Sequence, residues 1–280
     1  MRYIAEIGSN WKVTDNDGEN WVNLVKLINR IEEFNPDYIK FQIWDTDKFI
    51  HPEHPSYDSF KRLEMPREYY AGLIDLLGNR FMASVFDEAT ADTMNALGQT
   101  NWKIASGDIT HLSLIKHIAK FNQPMFLSTG NANEYEIKQA VDTITNVNDQ
   151  PLTIFHCVSK YPIELSEMGL KRLRWLVDTY GTKHSIGWSS HLEPFDADAG
   201  AITAMMMGAD TIEVHVGDSG TPDACVSLNP SYFGVLKITC NEIQQSINAD
   251  PLVNEEELCW ARRGTDGLRP WIDWQVRDDN

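Results

Sequence analysis

Two histidines close two β-rich runs: "HSIGWSSH" ends on His191 and "ADTIEVH" on His215. Imidazole suits zinc, manganese, iron or copper, and a site with two protein nitrogens leaves positions open for substrate oxygens and water. The alternative is two strand-end histidines bonded to carbonyls, the reading that also covers His156 in "LTIFHC". Lys40 in "IKFQ" and Lys103 in "KIASGD" close other runs, and Ser84, Ser106, Ser128, Ser159 and Ser189 recur at matching places. An ammonium binds phosphate as a point charge and hydroxyls donate neutral hydrogen bonds, so the set suits a small phosphorylated, carboxylated molecule. One such serine is ordinary turn chemistry; their recurrence from strand to strand argues for a site. Glu6 and Glu213 lie inside apolar runs, where a carboxylate survives only when paired or beside a metal. Either has the chemistry to activate water or a substrate hydroxyl, or to form an internal ion pair with Lys40 or Lys103.

Something must bring these residues together. Strand patterns fall at 3–8, 37–44, 80–86, 101–106, 124–129, 152–157, 184–189 and 210–216. Helical patterns at 19–34, 66–78, 88–97, 111–120, 133–145, 168–179, 196–207 and 230–247 fill the gaps. Capping residues and early acids, as in "DEAT" and "NANEYE", mark several helix starts. Eight successive βα units predict a TIM (β/α)8 barrel over residues 1–250. Chemistry in that fold stands at the C-terminal ends of the strands, where Gln42, Asp108 and Tyr161 join the residues above. Residues 251–280 form a short tail whose Trp260, Trp271 and Trp274 predict docking on the barrel or on a partner subunit.

Composition bounds the partners. A net charge of -17 and a pI near 4.8 argue against nucleic acid or an anionic membrane, which need clustered cations. No stretch has the length of a membrane span and the first residues do not read as a signal peptide, which predicts a cytoplasmic protein. Cys157, Cys225, Cys240 and Cys259 lack metal or disulfide spacing and read as reduced thiols.

The motifs "IAEIGSN", "IKFQ", "KIASGDIT", "LSTGNA", "HCVSKYP", "GWSSH", "IEVH" and "TPDACVSLNP" stand in an order that resembles the N-acetylneuraminate (sialic acid) synthases and their pseudaminate and legionaminate relatives, from about residue 3 to about 245. The resemblance implies a barrel enzyme that condenses phosphoenolpyruvate with an N-acetylated amino-sugar aldehyde, like that of N-acetylmannosamine. It implies a divalent ion, manganese by preference with magnesium or cobalt as substitutes, and a homodimer. By position, Lys40, Ser84, Lys103, Ser106, Ser128, Ser159 and Ser189 would hold phosphoenolpyruvate, and His191 and His215 the metal. Glu6, Gln42, Asp108, Tyr161 and Asp223 would touch the sugar or the reacting atoms, and Glu213 would orient the attacking water.

This chain departs from the family pattern at Trp11, where the family has His, and at Ser190, where it has Asp. Asp108 replaces a Glu found in some members. The family's C-terminal antifreeze-like domain, which supplies an arginine to the partner's sugar site, is not among these 280 residues; Arg262, Arg263 and Arg269 are its candidate substitutes. Loss of the acidic neighbour of His191 makes Ser190 the expected point of chemical divergence. Two other readings are a metal-free Schiff-base aldolase using Lys40 or Lys103, and a barrel that binds a sugar or acid without turnover.

Overall fold

The computed structural model describes residues 1–248 of the chain. One compact unit spans Met1–Asn241; a second, Glu242–Asn280, is described only through the helical residues 242–248. The expected boundary at 250 and the tail residues Trp260, Trp271, Trp274, Arg262, Arg263 and Arg269 lie outside the described residues.

Eight parallel strands among the described residues close into a barrel in chain order: β1 (Arg2–Gly8), β2 (Tyr38–Ile43), β3 (Phe81–Val85), β4 (Trp102–Ile104), β5 (Met125–Ser128), β6 (Leu152–His156), β7 (Ser185–Ser190) and β8 (Thr211–His215). Each expected strand forms. The predicted helices form too: α1 (Asp17–Glu32), α4 (Glu68–Leu77), α5 (Glu88–Ala96), α6 (Leu112–Ala119), α7 (Glu134–Thr145), α8 (Leu170–Tyr180), α9 (Ala197–Met206) and α10 (Pro230–Asn248). Two short helices, α2 (Thr46–Phe49) and α3 (Tyr57–Leu63), were not legible in the pattern and fold an excursion after β2.

Local chemistry starts the helices where the sequence marks them. Asp87 accepts from Thr90 N at the start of α5. At α7, Asn133 accepts from Glu136 N while Glu136 accepts from Asn133 N, a reciprocal pair that satisfies otherwise orphaned donors.

Ile4, Met82, Phe126 and Phe155, all buried, cluster inside the barrel with Tyr38 against them. The polar layer is built on this apolar one: Lys103 Nζ stands 4.3 Å from the centre of the Phe155 ring. Pairing registers set Glu6 beside Lys40 and His215, Ser84 beside Lys103, and Ser189 beside Glu213. Because strand side chains alternate, one face of each run delivers its polar residues to the barrel interior while the other packs on helices.

A candidate active site at the barrel mouth

A cavity of about 540 Å³ opens at the C-terminal ends of the strands. Every sequence-predicted site residue lines it except Glu6 and Asp223. A larger concavity lies beside the start of α10, but two of its four charged residues, Arg30 and Asp218, pair with each other at 2.6 Å, and it gathers no comparable set of lysines, serines and histidines.

Charge in the cavity is paired. Lys103 Nζ lies 2.6 Å from Glu213 Oε2, and Lys40 Nζ lies 2.5 Å from Glu6 Oε2 and 3.5 Å from Glu213 Oε1. Ser189 Oγ donates to Glu213 Oε1 at 2.8 Å, and Gln42 Nε2 donates to Glu6 Oε1 at 2.9 Å. Of the two readings of these carboxylates, the internal ion pair is the one the geometry has. Burial alone would raise the Glu213 pKa, but the ammonium groups of Lys103 and Lys40 outweigh it and hold the carboxyl well below its usual range. Burial lowers the Lys103 pKa, with Glu213 opposing the shift, whereas at Lys40 the carboxylates Glu213 and Glu6 overcome burial and raise it.

Glu6 therefore stands behind the cavity as the counterion of Lys40, fully buried. Asp223, in the loop after β8, is taken up by Ser9: its Oδ2 accepts from Ser9 N at 3.1 Å and Ser9 Oγ at 2.8 Å. Gly8, at φ +55°, makes room for this; a Cβ there would come 2.8 Å from Asp223 Oδ2.

Asp108 differs from both. It lines the cavity with no ion pair among the described residues, and burial raises its carboxyl to about 6, with His111 opposing the shift. It is the carboxylate poised to exchange a proton near neutrality.

His191 and His215 meet as the sequence expects, with ring centroids 5.6 Å apart. His191 Nδ1 donates to Val158 O at 2.5 Å, which presents Nε2. Burial, reinforced by the neighbouring His215, holds the His191 pKa down to about 3, so the ring is neutral. His215 Nδ1 is buried without a hydrogen-bond partner among the described residues. Tyr161 stacks on His191 at 3.9 Å and meets His215 edge-on at 5.8 Å. Two imidazoles, one neutral and held by a carbonyl and one with an orphaned nitrogen, fit a divalent ion whose other ligands are oxygens from water and substrate. No group of three or more His, Cys, Asp or Glu able to hold a metal occurs among the described residues. His156 is indeed structural: its Nε2 donates to Met168 O at 2.6 Å, outside the cavity.

The expected divergence at Ser190 is corrected. Strand alternation turns it away from the cavity, and its Oγ accepts from Leu192 N at 3.3 Å. His191 takes its orientation from Val158 instead. Trp11 likewise does not line the cavity and is buried edge-on against Tyr69 at 5.9 Å.

Sequence reasoning missed Gly130, Cys157, Asn131 and Arg172. Ser106 Oγ, Cys157 Sγ and Ser159 Oγ converge on Gly130, whose N–H donates to Ser106 Oγ at 3.1 Å. A Cβ on Gly130 would fall onto Ser159 Oγ and come 2.9 Å from Ser106 Oγ and 3.0 Å from Cys157 Sγ. Arg172 of α8 holds this loop by donating to Thr129 O at 2.7 Å and to Ala132 O. Gly130→Ala is expected to raise the KM for an anionic substrate about tenfold, the scale of one lost charge-assisted hydrogen bond. Thermal unfolding should shift little; an unchanged KM would show that these hydroxyls do not hold the anion.

Comparisons with known proteins agree with this geometry. A model described as the NeuB family matches residues 27–250. The chain is 30% identical over 265 residues to N,N'-diacetyllegionaminic acid synthase of Campylobacter jejuni, covering 86% of this chain and 75% of that protein. It is 31% identical over 222 residues to spore coat polysaccharide biosynthesis protein SpsE of Bacillus subtilis, covering 73% and 58%. The crystal structure of that Bacillus subtilis protein superposes with a TM-score of 0.73 at 30% identity, over 92% of this chain and 72% of that one. The sialic acid synthetase of Leptospira borgpetersenii, at 24% identity and covering 96% and 92%, shares the fold with a TM-score of 0.79. The chain spans between 49% and 75% of the length of the curated relatives it matches.

Proposed function

The chain belongs to the NeuB family, and from that premise we propose that it condenses phosphoenolpyruvate with the open-chain aldehyde of an N-acetylated amino sugar, giving a nonulosonic acid and phosphate. The single observation that carries this reading is the cavity wall: two buried lysines, a set of strand-end serines, the histidine pair His191 and His215, and Asp108, which has no ion pair among the described residues.

In the reaction, C3 of phosphoenolpyruvate forms a bond to the aldehyde carbon, whose oxygen takes a proton. Water adds to the resulting cation at C2, and the C2–O bond breaks to release phosphate and leave a 2-keto acid. Lys40 and Lys103 attract the phosphate and carboxylate, aided by hydroxyls of Ser84, Ser106, Ser128, Ser159 and Ser189. Gln42, steadied by Glu6, presents its amide to the sugar. Glu213, with both oxygens engaged, is an electrostatic anchor for the lysines, so the water-activating role passes to Asp108. His191 and His215 would hold the divalent ion, manganese by preference with magnesium or cobalt as substitutes. Such an ion supplies Lewis-acid polarisation of the aldehyde oxygen.

The reading extends to a cytoplasmic homodimer. Cys157, Cys225 and Cys240 form no disulfide among the described residues, which supports a reducing compartment, and no helix of the described residues is long and apolar enough to cross a membrane. Exposed Tyr232, Val235 and Ile238 on α10 support self-association, which sedimentation velocity checks.

The test is phosphate release from phosphoenolpyruvate across a panel of N-acetylated amino sugars, with and without manganese, as a function of pH. Release should require both sugar and metal. If ionised Asp108 accepts the proton of the attacking water, kcat should fall as pH drops through about 6, and Asp108→Asn should be slow and lose that limb. A limb unchanged in the variant assigns the titration elsewhere. Borohydride trapping of a pyruvate adduct, with activity insensitive to EDTA, would replace the reading with a Schiff-base aldolase.

A further inference from the structure

The first turn of α8 breaks the usual charge pattern of a helix. It carries Lys171 and Arg172 and no acid, although the positive end of the helix dipole favours carboxylates there. Arg172 meets no carboxylate among the described residues. Its Nη2 donates instead to two main-chain carbonyls of the turn after β5, Thr129 O at 2.7 Å and Ala132 O. Both ends of this contact are anchored. His156 Nε2 donates to Met168 O just ahead of α8, and Thr129 donates to Phe155 O through its N–H at 3.1 Å and its hydroxyl at 2.9 Å. A cation set against the helix dipole and held between two anchored segments breaks a local rule, and such breaks are expected where a site needs them.

The consequence lies on the other side of one peptide bond. Oxygen and hydrogen of a trans peptide point in opposite directions, so a Thr129 carbonyl turned towards Arg172 sends the Gly130 N–H the other way. It points at Ser106 Oγ, which accepts from it at 3.1 Å. A serine hydroxyl has one hydrogen to donate, and with its oxygen accepting from Gly130 that hydrogen is left for another partner. Its neighbour is Cys157 Sγ, 3.0 Å away and only a weak acceptor. An anionic oxygen entering the cavity, which Ser106, Ser128 and Cys157 line together, is a stronger acceptor than the sulfur. The charge on Arg172 also polarises the peptide it holds, which strengthens the Gly130 N–H as a donor and, along the chain of bonds, the Ser106 O–H.

We propose that Arg172 is a positioning residue for the anion end of the cavity: through the Thr129–Gly130 peptide it fixes Ser106 as a hydrogen-bond donor to phosphoenolpyruvate. This rests on the condensation reading for the identity of the anion, and its test reads binding apart from turnover. Phosphoenolpyruvate is titrated by calorimetry, without sugar, into wild type, Arg172→Met, Arg172→Lys, Ser106→Ala and the double variant Arg172→Met, Ser106→Ala. Arg172→Met should weaken binding about tenfold, the scale of one charge-assisted hydrogen bond, and Ser106→Ala by a similar factor. The double variant should lose about tenfold and not the roughly hundredfold that independent sites would give, because both changes remove the same interaction. The contact is not a guanidinium fork: one nitrogen serves both carbonyls, as a lysine ammonium also can, so Arg172→Lys should bind within about threefold of wild type. In turnover the loss in Arg172→Met should appear in the KM for phosphoenolpyruvate, with kcat and the sugar KM kept, a split that a general loosening of the barrel would not produce. Unchanged affinity in Arg172→Met, additive losses in the double variant, no recovery with lysine, or a wild type that binds no phosphoenolpyruvate overturns the assignment. The coupled pattern with no sugar-dependent phosphate release would leave it standing and sink the condensation instead.

Discussion

His215→Ala should reduce phosphate release about a thousandfold, the factor that several kcal/mol of Lewis-acid stabilisation amount to at tenfold per about 1.4 kcal/mol. The side chain ends β8, lines the cavity and faces His191, yet its Nδ1 is buried without a hydrogen-bond partner among the described residues. An unpaired buried nitrogen is a cost unless something else engages it, so removing the ring sacrifices no internal hydrogen bond of that atom. The barrel should therefore stay folded, with a thermal midpoint within a few degrees of wild type, while calorimetry shows weakened manganese binding. Full turnover in the variant would take the metal out of the mechanism. Weak turnover with unimpaired manganese binding would place the ion elsewhere.

Lys103→Met is expected to be almost as damaging, for a different reason, and to unsettle the fold as well. Lys103 is 1% exposed, lies 2.6 Å from Glu213 and stands over the Phe155 ring. Taking one partner from a buried ion pair costs about 3–5 kcal/mol, because the remaining charge has lost its compensation. Here Lys40, at 3.5 Å, and Ser189 compensate in part, which favours the lower end of that range. Phosphoenolpyruvate turnover should fall by about a hundredfold or more, with the loss mainly in KM. The double variant Lys103→Met, Glu213→Gln separates the two effects. Removing the stranded carboxylate should restore much of the urea midpoint and none of the substrate binding. If the double variant also regained its affinity for phosphoenolpyruvate, Lys103 would be a structural counterion and not part of the anion site.

These two residues also mark how far the sequence could be read. Alternating apolar runs, caps at Asp87 and Asn133, and the recurrence of serines at strand ends are local signals, and each maps onto the structure within a few residues. The coming together of Lys40, Lys103, His191 and His215 was legible because closing eight parallel strands leaves their C-terminal ends one common mouth. The excursion carrying α2 and α3 was not, since helices of four and seven residues are too short for a periodic pattern to stand out.

What the sequence determined by itself is thus the barrel, the end of it that does chemistry, and the residue types gathered there. Tertiary structure alone decided how they are shared. Glu213 is claimed by Lys103 from 110 residues away, which leaves Asp108 as the cavity carboxylate without an ion pair among the described residues. Ser190 turns outward although its neighbours Ser189 and His191 reach the cavity, and Gly130 becomes the point where three polar side chains meet. Local propensity acts over a few residues and is written along the chain. Pairing in a buried polar layer depends on distances across the closed barrel, where a difference of about an ångström decides which carboxylate meets which ammonium.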